Sequence, residues 1–171
     1  MSRIFSILLV IIVFLSISCT VRPKIIAVLP IELKHKVWNE AIKYIGCSYE
    51  WGGQSIYNDP NCTVDCSGFV INAYKGALKN SGYYLQFEDS TVEYIYNNFS
   101  RKTKIPDKGD LIFMGETSEI THIAIFEKIV ENYVYFIDAY SVTGQVGIRK
   151  YATDNPKIKS YGEMEVLSNG F

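Results

Sequence analysis

The chain is expected to fold as an α+β protein, with N-terminal helices packed on an antiparallel β-sheet. Three observations point there. Apolar residues recur at helical spacing between Leu33 and Asn97, and apolar β-rich runs fill the second half. The two regimes meet at Pro106-Asp107-Lys108-Gly109, a turn sequence, so helices and strands are segregated rather than alternating. A chain of 171 residues suits one domain. At that size roughly 70% of the unfolded chain's surface is buried on folding, so the core needs no staples. The formal charge is −1 with both signs interspersed, and the absence of a basic stripe argues against nucleic acid as a partner.

The elements follow in order. Arg3 and the apolar run Ile4 to Ile17, broken only by Ser6 and Ser16, suit a secretory signal and are short for a membrane span. Ser16-Ile17-Ser18-Cys19 resembles a bacterial lipoprotein cleavage site, with Ser16 where leucine is usual. Lipidation would make Cys19 the mature N-terminus. An ordinary signal peptide and an uncleaved anchor are the alternatives. Each exports the protein to an oxidising compartment. Residues 1–19 are thus expected as the signal, 20–31 as a tether, and 32–171 as the catalytic domain.

Leu33, Val37, Ala41 and Ile45 share one helical face, and Gly46 stops that helix. His35, between Lys34 and Lys36, is expected on the surface. Gly46 to Pro60 reads as a loop, and its pair Gly52-Gly53 permits a tight turn or a close backbone approach. Asp65 is a plausible N-cap for a second helix that begins at Cys66 and buries Phe69, Val70, Ala73, Ala77 and Leu78. Ser90-Thr91-Val92-Glu93 has the capping-box pattern of a third helix running toward Asn97. Strands are expected over Asp110 to Met114, His122 to Val130, Tyr133 to Ala139, Gln145 to Tyr151 and Met164 to Leu167, with a tight hairpin at Glu131-Asn132.

Cysteine chemistry singles out two residues. A thiol at a helix start faces unpaired amides, and with a nearby imidazolium its pKa falls from about 8.5 to roughly 3.5–7.5. Cys66 has the first influence. His122, the only histidine of the C-terminal half, would supply the second and act as base. Such a pair attacks an amide carbonyl and passes through a thioester that water resolves. The backbone amide of Cys66 would form part of an oxyanion hole. If the two strands pair through Glu131-Asn132, residues whose numbers sum to about 263 face each other. That puts His122 near Ser141 and Asp138 a few residues along the same edge, where its carboxylate would orient the imidazole. A strand-end aspartate bonded to a turn is the competing reading. Cys66 read as inert core, and His122 as purely structural, are the corresponding alternatives. Cys62, Cys66 and His122 lack a usual fourth metal ligand, so neither metal nor cofactor is expected. Cys47 and Cys62 either stay as free buried thiols or close a loop of about 15 residues, which would add about 3 kcal/mol.

Three blocks, in this order, resemble the NlpC family of bacterial cell-wall cysteine endopeptidases, a branch of the papain-like superfamily: Gly46-Cys47-Ser48-Tyr49-Glu50-Trp51-Gly52-Gly53; Asp65-Cys66-Ser67-Gly68-Phe69-Val70 with Ala73-Tyr74; and Gly109-Asp110-Leu111-Ile112-Phe113 followed by His122-Ile123-Ala124-Ile125-Phe126. The resemblance implies a papain-like fold, a nucleophile at Cys66 and a base at His122. It implies that the Tyr49 hydroxyl lines the site and that Asp65 and Ser67 contact substrate. It also implies cleavage of peptidoglycan stem peptides, commonly between γ-D-glutamate and a diamino acid. Asp138 stands where the family most often has histidine. The expectation is an exported, lipid-anchored monomer in the cell envelope, on its periplasmic or outer-surface side. An amidase or acyltransferase of the same superfold and a non-catalytic envelope-binding lipoprotein are the alternatives.

Overall fold

The computed structural model describes residues 24–169. Cys19 and the signal segment lie outside that range. The order of elements is β1 (Lys24–Val28), α1 (Ile31–Ala41) with a following 3-10 turn, β2 (Ser48–Tyr49), β3 (Thr63–Val64), α2 (Cys66–Leu78), β4 (Tyr83–Leu85), α3 (Val92–Asn98), β5 (Ser100–Thr103), β6 (Leu111–Met114), β7 (His122–Val130), β8 (Tyr133–Tyr140), β9 (Gln145–Ala152) and β10 (Ile158–Asn169). The fold is α+β. The sheet runs β1-β10-β6-β7-β8-β9-β2-β3, with β4 and β5 also paired to β10. Every described pairing is antiparallel except β2 with β3.

Period-2 alternation gives the sheet two buried faces. Leu111, Phe113, Ile123, Ile125, Ile137 and Ala139 pack with Phe69, Val70, Ala73 and Ala77 of α2 and with Val37 and Ala41 of α1. On the other face Ile112, Met114, Ala124, Phe126, Val134 and Phe136 form a second cluster, closed by Tyr151, Ile158 and Tyr161. From His122 to Phe126 the odd positions of β7 therefore meet the helices, and the even positions, His122 among them, lie on the second face.

Several expectations need correction. Residues 24–28, expected within the tether, pair along β10 from Lys24↔Asn169 to Val28↔Glu165. Ile45 leaves the α1 stripe: the chain tightens into a 3-10 turn after Ala41, and Ile45 is 53% exposed. Lys34, unremarkable in sequence, is buried, donating to Asp110, Asp107 and Glu163. The cap of α3 is Thr91, not Ser90. Its hydroxyl accepts the Tyr94 N–H at 3.3 Å, one residue later than the box pattern implies. Of the two states open to Cys47 and Cys62, the expected disulfide is the one formed. Each cysteine precedes one strand of the two-residue parallel pair β2–β3, so the bridge anchors the short segment that delivers Tyr49 and Asp65.

The β7–β8 hairpin carries the correction that matters most. Near the turn the pairing sums to 263, as in Lys128↔Tyr135, but Glu127 bulges and beyond it the sum is 262, as in Phe126↔Phe136 and Ile125↔Ile137. A one-residue slip turns each side chain to the other face. A uniform 263 register puts Asp138 on the face away from His122. The bulge puts both on the same one.

Candidate active site

The nucleophile candidate owes its place to Asp65. Its Oδ1 accepts the Gly68 N–H at 2.7 Å and the Ser67 hydroxyl at 3.0 Å, capping α2, while its Oδ2 accepts the Gly52 N–H at 3.0 Å. One carboxylate thus ties the Gly52-Gly53 turn to the helix start. The approach is close enough that a Cβ on Gly68 would meet the Gly53 carbonyl oxygen at 2.3 Å, which no side chain survives without moving the turn. Cys66 follows at the first helical position, and it is the one free cysteine among the described residues.

Cys66 and His122 line a single cleft of about 230 Å³, together with Tyr49, Trp51, Met114 and Tyr140. The N–H groups of Cys66, Ser67 and Ile123 face the sulfur. The third comes from the residue after His122, so the sulfur lies at the point where β7 begins. These amides favour a thiolate, but burial outweighs them. Burial first, and the Asp65 charge second, push the Cys66 thiol up to about 11. Burial thus works against the thiolate expected from the helix tip. The sulfur must lose its proton when it reacts.

His122 lines the same cleft. Its Nε2 lies 2.6 Å from Asp138 Oδ2. A carboxylate only accepts, so Nε2 carries the hydrogen and Nδ1 is left as the nitrogen that exchanges a proton. The ring packs edge-on against Tyr140 at 5.7 Å between centroids. Asp138 does not line the cleft. It is fully buried behind the imidazole. Its other partner is Arg149 of β9, whose Nε donates to Oδ1 at 2.8 Å and whose Nη2 donates to Oδ2. Arg149 stacks under Tyr140, 3.6 Å from its centroid, and Nη1 donates to the Tyr151 hydroxyl at 3.2 Å.

Of the residues expected at the site, Tyr49, Cys66 and His122 share this cleft, and Asp65 and Ser67 line its continuation past Cys66 and Trp51 toward the start of α3. Burial, then the Cys66 and Asp65 charges, raise the Tyr49 hydroxyl pKa, keeping it a hydrogen-bond donor. Sequence reading passed over Arg149, Tyr140 and Tyr151, and gave no role to Trp51, which stands 87% exposed on the rim. A signal for Arg149 existed. An aspartate inside the apolar run Tyr133 to Tyr140 calls for a cation on a neighbouring strand, and β9 offers Arg149 and Lys150. The β8–β9 register, Phe136↔Arg149 and Asp138↔Gly147, selects Arg149 as the one on the Asp138 face.

Among curated proteins none matches the chain significantly. The crystal structure of the NlpC/p60 domain of peptidoglycan hydrolase SagA is similar, with 26% identity, 75% of this chain and 97% of that chain covered, and a TM-score of 0.49. A Staphylococcus aureus Mu50 protein described as similar to lipoprotein, NLP/P60 family, has 22% identity and a TM-score of 0.54 over 80% of this chain and 43% of that one. Ly7917 has 10% identity and a TM-score of 0.51, with 79% and 61% covered. This chain thus spans less than two thirds of the last two, and their likeness is one of fold. The NlpC/P60 family model matches residues 46–161, from the strand that carries Tyr49 into β10. The chain belongs to the NlpC/P60 family and is an enzyme of its hydrolase class.

Proposed function

We propose that this protein is an exported, lipid-anchored cysteine endopeptidase that hydrolyses amide bonds in peptidoglycan stem peptides, with the γ-D-glutamyl–diamino acid bond as its target. The observation that carries the chemistry is the shared cleft of Cys66 and His122, with Nε2 of the ring engaged by Asp138. Substrate enters along the groove on both sides of Cys66. The sulfur attacks the carbonyl carbon as its proton passes to His122 Nδ1. The tetrahedral oxyanion meets the helix-start amide of Cys66, which needs no reorganisation to receive it. Collapse breaks the C–N bond, the leaving amine takes the proton from Nδ1, and a thioester remains on Cys66. Water then attacks, giving one proton to His122, and Cys66 leaves as the thiol. Asp138 holds the ring throughout and does not itself carry the proton.

With burial holding the thiol pKa up, general-base help from His122 contributes about 10²–10⁴-fold. Asp65 and Ser67 line the groove beside the nucleophile and are assigned to the substrate's polar end. Asp65 does this on top of its capping role. Export and anchoring rest on the apolar run before Cys19 and on the Cys47–Cys62 bridge, which an oxidising compartment sustains. The protein acts as a monomer whose lipid keeps it at the envelope surface.

The test is incubation of the detergent-solubilised full chain with purified muropeptides, read by mass spectrometry. The expected products gain one water across a single amide bond next to γ-D-glutamate. Transfer of the acyl group to an added amine in place of water would identify an acyltransferase. Intact muropeptides after prolonged incubation, with Cys66 still alkylatable, would leave a binding protein.

A further inference from the structure

The carboxylate behind His122 is more strongly held than orienting a histidine requires. Asp138 has no solvent exposure, and Arg149 grips it with both Nε and Nη2, so that Oδ2 is shared between the guanidinium and the imidazole. The same guanidinium lies flat under Tyr140, which packs against His122, and holds Tyr151 by its hydroxyl. Both tyrosines line the cleft. Arg149 therefore touches Asp138, Tyr140 and Tyr151, three groups around the base on the β8–β9 side. It is itself screened from solvent, with a side-chain exposure of 18%.

We propose that Arg149 is a positioning residue for the base: its fork fixes where the Asp138 carboxylate points, and its charge offsets the carboxylate that His122 leans on. This rests on the reading of Cys66 and His122 as a reacting pair. The physical reason is charge balance. A buried aspartate facing only a histidine favours the protonated imidazole, which cannot accept the thiol proton. It also adds negative potential behind a sulfur that is to become an anion. A guanidinium on the same carboxylate removes much of both effects, while the Oδ2 contact still selects the tautomer. The other charged or titratable groups facing the pair are Asp65 beside Cys66, Tyr49 on β2, Tyr140 on β8, Tyr151 on β9, and the Glu116–Lys157 ion pair on the cleft wall. The last is balanced in itself, and Arg149 bears on the base through Asp138.

The readout is the rate of Cys66 alkylation by iodoacetamide as a function of pH, in the full chain, which requires no substrate. In wild type the rate should depend on His122 near neutral pH. If it matches that of His122→Ala throughout, the reacting pair fails, before any statement about Arg149 is reached. Given the pair, Arg149→Met should move the pH–rate profile to higher pH by about one unit, about tenfold in rate on the rising limb. Arg149→Lys keeps the charge and loses the fork. Its profile should stay at the wild-type position with a plateau several-fold lower. An Arg149→Met profile at the wild-type position, whatever its height, overturns the proposal, because a purely structural role lowers reactivity without moving its pH dependence. Should the Met variant fail to fold, Arg149→Lys decides. A wild-type plateau at the wild-type position shows that the fork positions nothing.

Discussion

Among the described residues two buried ion clusters lie on this sheet, and the one at His122 opens onto the cleft. At the foot of α1, Lys34 Nζ lies 2.8 Å from Glu163, 3.0 Å from Asp110 and 3.1 Å from Asp107, with Arg101 also on Glu163. At the head of β7, Arg149 holds Asp138, and Asp138 holds His122. In both, burial of a carboxylate is made tolerable by a cation. In the first, three carboxylates surround one lysine, and the cluster ties α1 to β10 and to the turn before β6. In the second, one partner is an imidazole with a nitrogen to spare, beside a thiol. A buried carboxylate alone does not mark a site; a buried carboxylate joined to an imidazole that shares a cleft with a thiol does.

The comparison breaks most sharply at Lys34. Lys34→Met leaves Asp110 buried with its cation gone, and should cost about 3–5 kcal/mol in urea unfolding while Cys66 alkylation in the folded fraction keeps its rate. A fall in alkylation alone, with stability kept, would mean the two clusters are wrongly assigned. Next is the bridge. Cys47→Ser with Cys62→Ser should remove about 3 kcal/mol, measured against wild type under oxidising conditions. The loss should appear first as faster proteolysis of the 50–62 segment. His122→Ala inverts the Lys34 result: alkylation of Cys66 near neutral pH falls about 100-fold, with stability within about 1 kcal/mol of wild type.

The smallest expected effect is in pH dependence. Burial pushes Asp110 up to about 6, against the pull of the Asp107 N–H and Lys34. A carboxyl with a raised folded-state pKa binds its proton more tightly when folded. Its contribution is therefore fully present below the unfolded value near 4 and is lost as pH rises through about 6. Glu163 runs the other way: burial opposes it, but hydrogen bonds from Lys34 and Arg101 hold it below the usual range, so its contribution is lost on acidification. Asp110→Asn should remove the first dependence and leave the second. Stability would then rise with pH between about 4 and 6 more steeply than in wild type. An unchanged slope in urea midpoints across that window would show that Asp110 does not titrate there.

The head of α2 was legible in the sequence because its signals are local: an aspartate cap and a helix-spaced apolar face. The hairpin at Glu131-Asn132 was legible for the same reason. What escaped depends on distant pairing. β1, β4 and β5 are short and have one long partner in common, β10, which no window of their own sequence reveals. Lys34 looks like any surface lysine until β10 brings Glu163 to it. The meeting of His122 with Asp138 was anticipated from a register that would have separated them by face. The bulge at Glu127 is what unites them, and nothing in Phe126-Glu127-Lys128 announces it. Arg149 was one strand further away still.

The central claim is that Cys66 becomes acylated by the substrate it cleaves. Rapid acid quench of the full chain with muropeptides, followed by peptide mapping, measures this directly. A stem-peptide acyl adduct on the Cys66 peptide, absent from Cys66→Ala together with all product, is the expected result. Product released by Cys66→Ala at the wild-type rate would contradict it.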